Sequence, residues 1–158
     1  MYRHLGYPTV AINHLGDWGT QFGKLAVAIE EWSDKPADEC ELEDFLRLYV
    51  QFHDAAKEDP ALDDRARAAF KKLEDGDAEL RAFWQTVFDV TMAEIETVYQ
   101  RLQVSFDHTH GESFYEDKMK PVLEEGRQKG VFKEGEKGAL IADFPEETKI
   151  PPAVVLLS

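Results

Sequence analysis

From Leu80 to Leu102 the apolar side chains recur at helical spacing: Leu80, Phe83, Trp84, Val87, Phe88, Thr91, Ile95, Val98, Tyr99 and Leu102 fall on one face. A pattern of i, i+3, i+4, i+7 sustained for about seven turns predicts a single long amphipathic helix. Asp77, just after Gly76, is placed to cap its start. A helix of that length has to pack its stripe on several partners, so the chain is expected to fold around a helical assembly with this helix as spine. If that face is core, Phe88→Ala is expected to cost about 3–5 kcal/mol.

The partners are legible too. Phe22, Leu25, Ala26, Ile29 and Trp32 share a face on a helix opening at Thr20 and ending near Ser33. A second helix is predicted over about Leu42 to Lys57, and a third over about Asp59 to Leu73 with Pro60 in its first turn. Another spans about Phe114 to Lys129 and stops at Gly130. Strand-like runs are few: Pro8 to Asn13, Val104 to Asp107, a hairpin from 131–133 to 139–142 across a 134–138 turn, and Ala153 to Leu157. The expected chain is mostly α-helical with a few short strands.

At 158 residues with 43% hydrophobic side chains, the chain can bury a core without a disulfide or metal staple. Thirty-two acidic against 18 basic residues give a net charge of -14, which excludes a simple basic DNA-binding domain. The lone cysteine, Cys40, rules out a disulfide framework and, with no signal-peptide pattern, points to a cytoplasmic protein. No apolar run reaches membrane-spanning length, so no membrane partner is expected. The helix-ending Leu5-Gly6 and the apolar run from Ala153 lie at the two ends, and an internal piece of a larger protein is expected. The two outer strand-like runs are expected to belong to one parallel sheet and to pair with each other, or with a second copy as a homodimer through exposed strand edges.

Chemistry concentrates in Asn13-His14-Leu15-Gly16-Asp17-Trp18-Gly19-Thr20-Gln21-Phe22-Gly23. This is a strand–loop–helix transition, and in α/β sheets ligands bind where strands end and helices begin. The segment resembles the signature of arginyl-tRNA synthetases, which are class I aminoacyl-tRNA synthetases. Phe106-Asp107 with Gly111-Glu112-Ser113-Phe114-Tyr115 is similar to that family's second recurring segment, and Val154-Val155-Leu156-Leu157-Ser158 looks like the approach to its next core strand.

The resemblance implies an α/β parent with the class I nucleotide-binding fold, in which a helical insertion interrupts a partial Rossmann-like sheet. Residues 1–33 would be a piece of the catalytic core, 34–130 the connective insertion, and 131–158 the hairpin and return strand. The parent would be an arginine–tRNA ligase that activates L-arginine with ATP and Mg2+ and transfers it to tRNA(Arg). Asn13, His14, Asp17 and Gln21 would bind substrate, Asp17 through a cationic group and the others through hydrogen bonds. Trp18, Phe114 and Tyr115 would be structural anchors. For Asp17 a loop-capping role stands beside the binding role, and for His14 and Gln21 structural hydrogen bonding does. No catalytic residue is assigned.

The family's His-x-Gly-His and Lys-Met-Ser-Lys-type segments have no counterpart here; Lys118-Met119-Lys120 sits inside a helix pattern. The 158 residues alone are therefore expected to be inactive and to bind neither ATP nor Mg2+. His108-Thr109-His110 invites a metal, but no fourth ligand stands at suitable spacing, and none is assigned. Arg65, Arg67, Lys71 and Lys72 form a local basic patch, either a solvated helix face or an RNA contact. The alternative to a ligase fragment is a non-catalytic helical interaction module, derived from such a domain, that binds protein or tRNA.

Overall fold

A computed structural model describes residues 1–135, 138–144, 146–151 and 153–156. They form two compact units, Met1–Ser113 and Phe114–Ser158.

The first unit is a helical assembly beside a short parallel ladder. A 3-10 turn, Arg3–Leu5, leads to β1 (Ile12–Asn13) and α1 (Thr20–Trp32). Then follow α2 (Leu42–Glu58), α3 (Ala61–Glu74), α4 (Ala78–Leu102) and β2 (His108–Thr109). Local chemistry sets the boundaries. The Asp44 carboxylate accepts the Glu41 N–H at 3.0 Å at the start of α2. Asp59 takes the Ala61 N–H before α3, and Asp77 takes those of Glu79 and Leu80 before α4. Each satisfies a donor that the helix itself leaves without a partner.

The core lies where α1, α2 and α3 converge, around Ala28, Leu48 and Phe52, all fully buried. The approach of α1 to α3 is set by Gly23, where a Cβ would collide with the Ala66 carbonyl. α4 closes one side through Val87. The stripe holds its helical register, but its burial fades along the helix: Trp84, Phe88 and Ile95 are half-buried, while Val98 and Leu102 are 53% and 64% exposed. The expectation of a core Phe88 is corrected accordingly; its ring lies against Trp84 (5.5 Å between centroids) and borders a cleft.

β1 and β2 are parallel, with Ile12 opposite His108 and Asn13 opposite Thr109. The strand expected at 104–107 falls later because α4 runs to a left-handed Gln103, φ +55. Pairing then starts at Asp107, whose N–H donates to the Ala11 carbonyl at 2.8 Å and whose carboxylate takes the Ala11 N–H at 2.7 Å. Regular strand on the other side covers only Ile12–Asn13 of the expected 8–13 run.

A 3-10 stretch, Glu112–Lys118, runs from the last residues of the first unit into the second and hands over to α5 (Met119–Gln128). The sequence pattern suggests one helix from Phe114; Pro121 explains the difference. Proline has no N–H and its ring clashes with the carbonyl four residues back, so it belongs in the first turn of an α-helix. β3 (Phe132–Glu134), β4 (Leu140–Ala142) and β5 (Ala153–Leu156) form an antiparallel sheet in that order. Phe132 pairs with Ala142, and Ala142 with Ala153. The final strand therefore takes β4 as its neighbour instead of sharing a parallel sheet with Pro8–Asn13. Residues 136 and 137 of the expected turn, and Leu157 and Ser158 of the terminal run, lie outside the described residues.

Candidate functional site

The loop between β1 and α1 is held along its length by residues 107–113. Beyond the strand pair, the His110 N–H donates to the Asn13 carbonyl at 2.8 Å and the Glu112 N–H to Leu15 at 2.9 Å. The ladder thus continues past regular strand and ends at a side chain. The Asp17 carboxylate, 7% exposed, accepts the Ser113 N–H at 2.9 Å and the Ser113 hydroxyl at 2.7 Å. Two such donors replace hydrogen bonds to water that a buried carboxylate gives up. Gly111 leaves room for it, since a Cβ there would occupy the space of the carboxylate.

The other side chains singled out from the sequence separate into distinct places. Asn13, also 7% exposed, exchanges hydrogen bonds with the Tyr99 hydroxyl at 3.0 and 3.3 Å. His14 sets Nδ1 2.8 Å from the His110 carbonyl, which can only accept, so the proton sits on Nδ1. Gln21 donates from Nε2 to the Trp18 carbonyl at 3.0 Å. The Trp18 ring meets Phe70 and Trp84 edge to face, both at 5.6 Å, and the Arg81 guanidinium lies 4.8 Å over it. Trp84 Nε1 in turn donates to the Asp17 carbonyl at 2.8 Å. In the second unit, Phe114 and Tyr115 contact each other at 5.0 Å and are each 40% exposed.

Asp17 and Gln21 are the two that meet at one cavity. A cleft of about 380 Å³ opens between α1, α2 and α4, walled by Phe22, Phe45, Leu46, Phe88 and Ile95. Asp17 and Gln21 stand at the α1 end of this apolar trough, with Tyr49 and Thr91 as further polar side chains. Asn13 borders a separate hollow of about 230 Å³ with Glu96, Tyr99 and Gln100. Ser113, Trp84 and Tyr99 contribute to the site without having been assigned to it. Trp84 and Tyr99 were legible only as parts of a stripe, and Ser113 only as one letter of a second motif 96 residues from Asp17.

The remaining candidates carry less. The His108 and His110 rings stack at 5.3 Å, and no trio of His, Cys, Asp or Glu able to hold a metal ion occurs among the described residues. Cys40 is buried, and burial pushes its thiol pKa upward, away from the reactive thiolate. In the basic patch, Arg65 pairs with Glu30 and Glu31, Arg67 with Asp64, and Lys71 with Asp75. No helix among the described residues is long and apolar enough to cross a membrane.

Comparison with known proteins gives a consistent result. Residues 1–157 match the family described as tRNA synthetases class I (R), catalytic domain. The chain is 46% identical over 157 residues to an arginine–tRNA ligase of Clostridium beijerinckii, covering 99% of this chain and 28% of that protein. It is 47% identical over 156 residues to an arginine–tRNA ligase of Clostridioides difficile, covering 98% of this chain and 27% of the relative. The chain thus spans just over a quarter of the length of these curated relatives. In three dimensions it is similar to the arginyl-tRNA synthetase of Plasmodium falciparum, with a TM-score of 0.71 at 22% identity over 90% of this chain and 24% of that one. A loop that ends a parallel strand, opens a helix and is strapped by a second motif is thus found in a chain that matches one family model over nearly its whole length, and the chain belongs to the class I arginyl-tRNA synthetase catalytic-domain family.

Proposed function

We propose that these residues are part of an arginine–tRNA ligase, which joins L-arginine to the α-phosphate of ATP with loss of pyrophosphate and passes it to tRNA(Arg) in the cytoplasm. The observation that carries this reading to a site is the placement of Asp17 and Gln21 at the end of the apolar cleft. An aliphatic stem with a polar end suits an apolar cleft that counts Asp17 and Gln21 among its lining residues. Each Asp17 oxygen has acceptor capacity beyond its Ser113 bond, and the other two candidates flank the same loop. Trp18, packed by Phe70, Trp84 and Arg81, serves as an anchor; Phe114 and Tyr115, each 40% exposed, are not enclosed as the core anchors expected of them. The division into a core piece at 1–33, a helical insertion at 34–130 and a return segment at 131–158 belongs to the same reading; α2, α3 and α4 lie in sequence between β1 and β2, which supports an insertion there, while β2 at 108–109 and the unit boundary at 113/114 fall inside the 34–130 span. Nothing on the molecule favours a non-catalytic module.

ATP and Mg2+ would be supplied to the whole enzyme, but the groups described here do not fit either. The sequence has no His-x-Gly-His segment and the described residues no metal-holding cluster, so no step is derived through them. Arginine-dependent ATP–pyrophosphate exchange tests the reading. The full-length protein is expected to exchange, Asp17→Asn in it to raise KM for arginine, and the 158 residues alone to stay at background. A full-length protein that exchanges with another amino acid and not with arginine would overturn it.

A further inference from the structure

Besides the apolar cleft, a smaller hollow is built where α4 ends. Gln103 takes the left-handed region at φ +55, and the Val104 N–H donates back to the Tyr99 carbonyl at 3.0 Å. A left-handed residue just past a helix turns the chain back on itself. Residues 104–106 thus return toward the helix they have left, and the Phe106 ring lies 5.2 Å from that of Tyr99 at a tilt of 60°. The hollow, of about 230 Å³, lies between these two pieces of chain. Glu96, Tyr99 and Gln100 stand at i, i+3 and i+4 and so share the helix wall, while Ser105, Phe106 and Thr109 supply the other wall. Tyr99 is held at its hydroxyl, which exchanges hydrogen bonds with the buried Asn13 at 3.0 and 3.3 Å.

We propose that this hollow is a binding site for an organic cation, an ammonium or guanidinium group on a short alkyl stem. The chemistry of its walls is one-sided. Glu96 brings a carboxylate, Gln100, Ser105 and Thr109 bring oxygens that can accept, and no Lys or Arg is among the lining residues. Glu96 is exposed and has no cationic partner among the described residues. The nearby Asp107, in contrast, is already taken by Arg3 at 3.3 Å. Tyr99 and Phe106 add aromatic rings, whose π-faces attract a cation and repel an anion. A phosphate would meet the wrong sign on both counts. The ligand is set by these walls and not by the residues of the apolar cleft, so the proposal does not rest on the ligase reading. Two sources carry this chemistry: a free small cation, and the side chain of a Lys or Arg in a polypeptide.

Methyl NMR of the full-length protein labelled at methionine reads the site, because Met92 lines the hollow; its signal is identified through Met92→Leu. Three probes separate the possibilities. n-Butylguanidinium is the free cation, n-butylurea its neutral isostere, and acetyl-Gly-Arg-Gly-amide the polypeptide form. The cation is expected to shift the Met92 signal saturably with a Kd on the order of millimolar, as an open site allows, and the urea to leave it unmoved at the same concentrations. Met92 also borders the apolar cleft, so the signal is localised by residues that line only the hollow, Glu96 and Phe106. Glu96→Gln, at an exposed position, is expected to weaken binding about fivefold, and Phe106→Leu about threefold. Tighter binding of the peptide than of n-butylguanidinium makes a polypeptide side chain the source, and equal or weaker binding makes it a free cation. The proposal is overturned if neither cationic probe gives a saturable shift, if the urea binds as well as the cation, or if Glu96→Gln leaves the affinity unchanged. A protein that fails arginine-dependent exchange leaves this test standing.

Discussion

Two helix pairings in the first unit use the same kind of amphipathic pattern and end differently. α1 and α3 meet almost backbone to backbone, because Gly23 presents no side chain to the Ala66 carbonyl and Ala66 itself is fully buried. α2 and α4 face each other with Phe45, Leu46, Tyr49, Phe88 and Ile95, and between them lies a cleft of about 380 Å³. Small residues let helices close; large ones hold them apart, and the space between is filled only if the shapes interlock. The close pairing therefore carries stability, and the open one leaves a cavity. Asp17 and Gln21 stand at the end of the cleft, while the tight contact fixes the helix on which Gln21 sits.

The strongest way to break that comparison is to force the close pair open. Gly23→Val places branched carbons against a backbone carbonyl that has nowhere to move, and is expected to destabilise the protein by about 3 kcal/mol. The expected result is a lower urea midpoint at nearly unchanged slope; a loss below about 0.5 kcal/mol would mean that the two helices slide apart freely. The matching change across the cleft should cost less. Phe88 is half-buried, so Phe88→Ala is expected to lose about 1–2 kcal/mol, below the 3–5 kcal/mol of a fully enclosed phenylalanine, and to enlarge the cleft. Equal losses for the two substitutions in the same urea titration would erase the distinction between the pairings.

The smallest effect concerns how α2 is held at its start. Asp44 accepts from the Lys35 ammonium and from the Glu41 N–H, and these contacts hold its carboxyl pKa below the ordinary aspartate value. A folded-state pKa below the unfolded one adds stability above about pH 3.9, and this is lost as pH falls through the depressed value. Lys35 mirrors it: its pKa is raised, chiefly by the hydrogen bond to Asp44, so its contribution is full below about pH 10.4 and fades as pH rises through the folded value. Both groups reach solvent, so the change is expected to be modest. Thermal melts of Asp44→Asn should show a flatter acid limb below about pH 4 than the parent protein. An unchanged limb would place the acid sensitivity in other carboxylates.

Much of the helical framework was legible from side-chain spacing alone. The start of α4 follows from Asp77, whose carboxylate caps it, and its course from the stripe that Leu80 begins. The end of that stripe was legible as helix but not as surface. Periodicity states which face is apolar, and nothing in Val98 or Leu102 says that α1 to α3 run out before reaching them. Local errors have local causes. Pro121 delayed α5 because its missing N–H is a property of one residue that a hydrophobic pattern ignores. The strand is shorter than the Pro8–Asn13 run because β-prone side chains do not create pairing donors; these come from residues 107–112.

The site divides along the same line. Side-chain type and spacing act over a few residues, and they are enough to mark Asn13 to Gly23 as a polar, glycine-punctuated turn from strand to helix. The same segment also carries the family resemblance. Which of those residues share a cavity depends on the packed helices. Asn13 turned to Tyr99 and His14 to the His110 carbonyl, while Asp17 and Gln21 reached the cleft. The same packing brings Ser113, 96 residues further on, onto Asp17. The physical reason is that a hydrogen bond depends on where two groups arrive in space, and for partners this far apart their arrival is set by how α2, α3 and α4 pack, which no window of the sequence encodes.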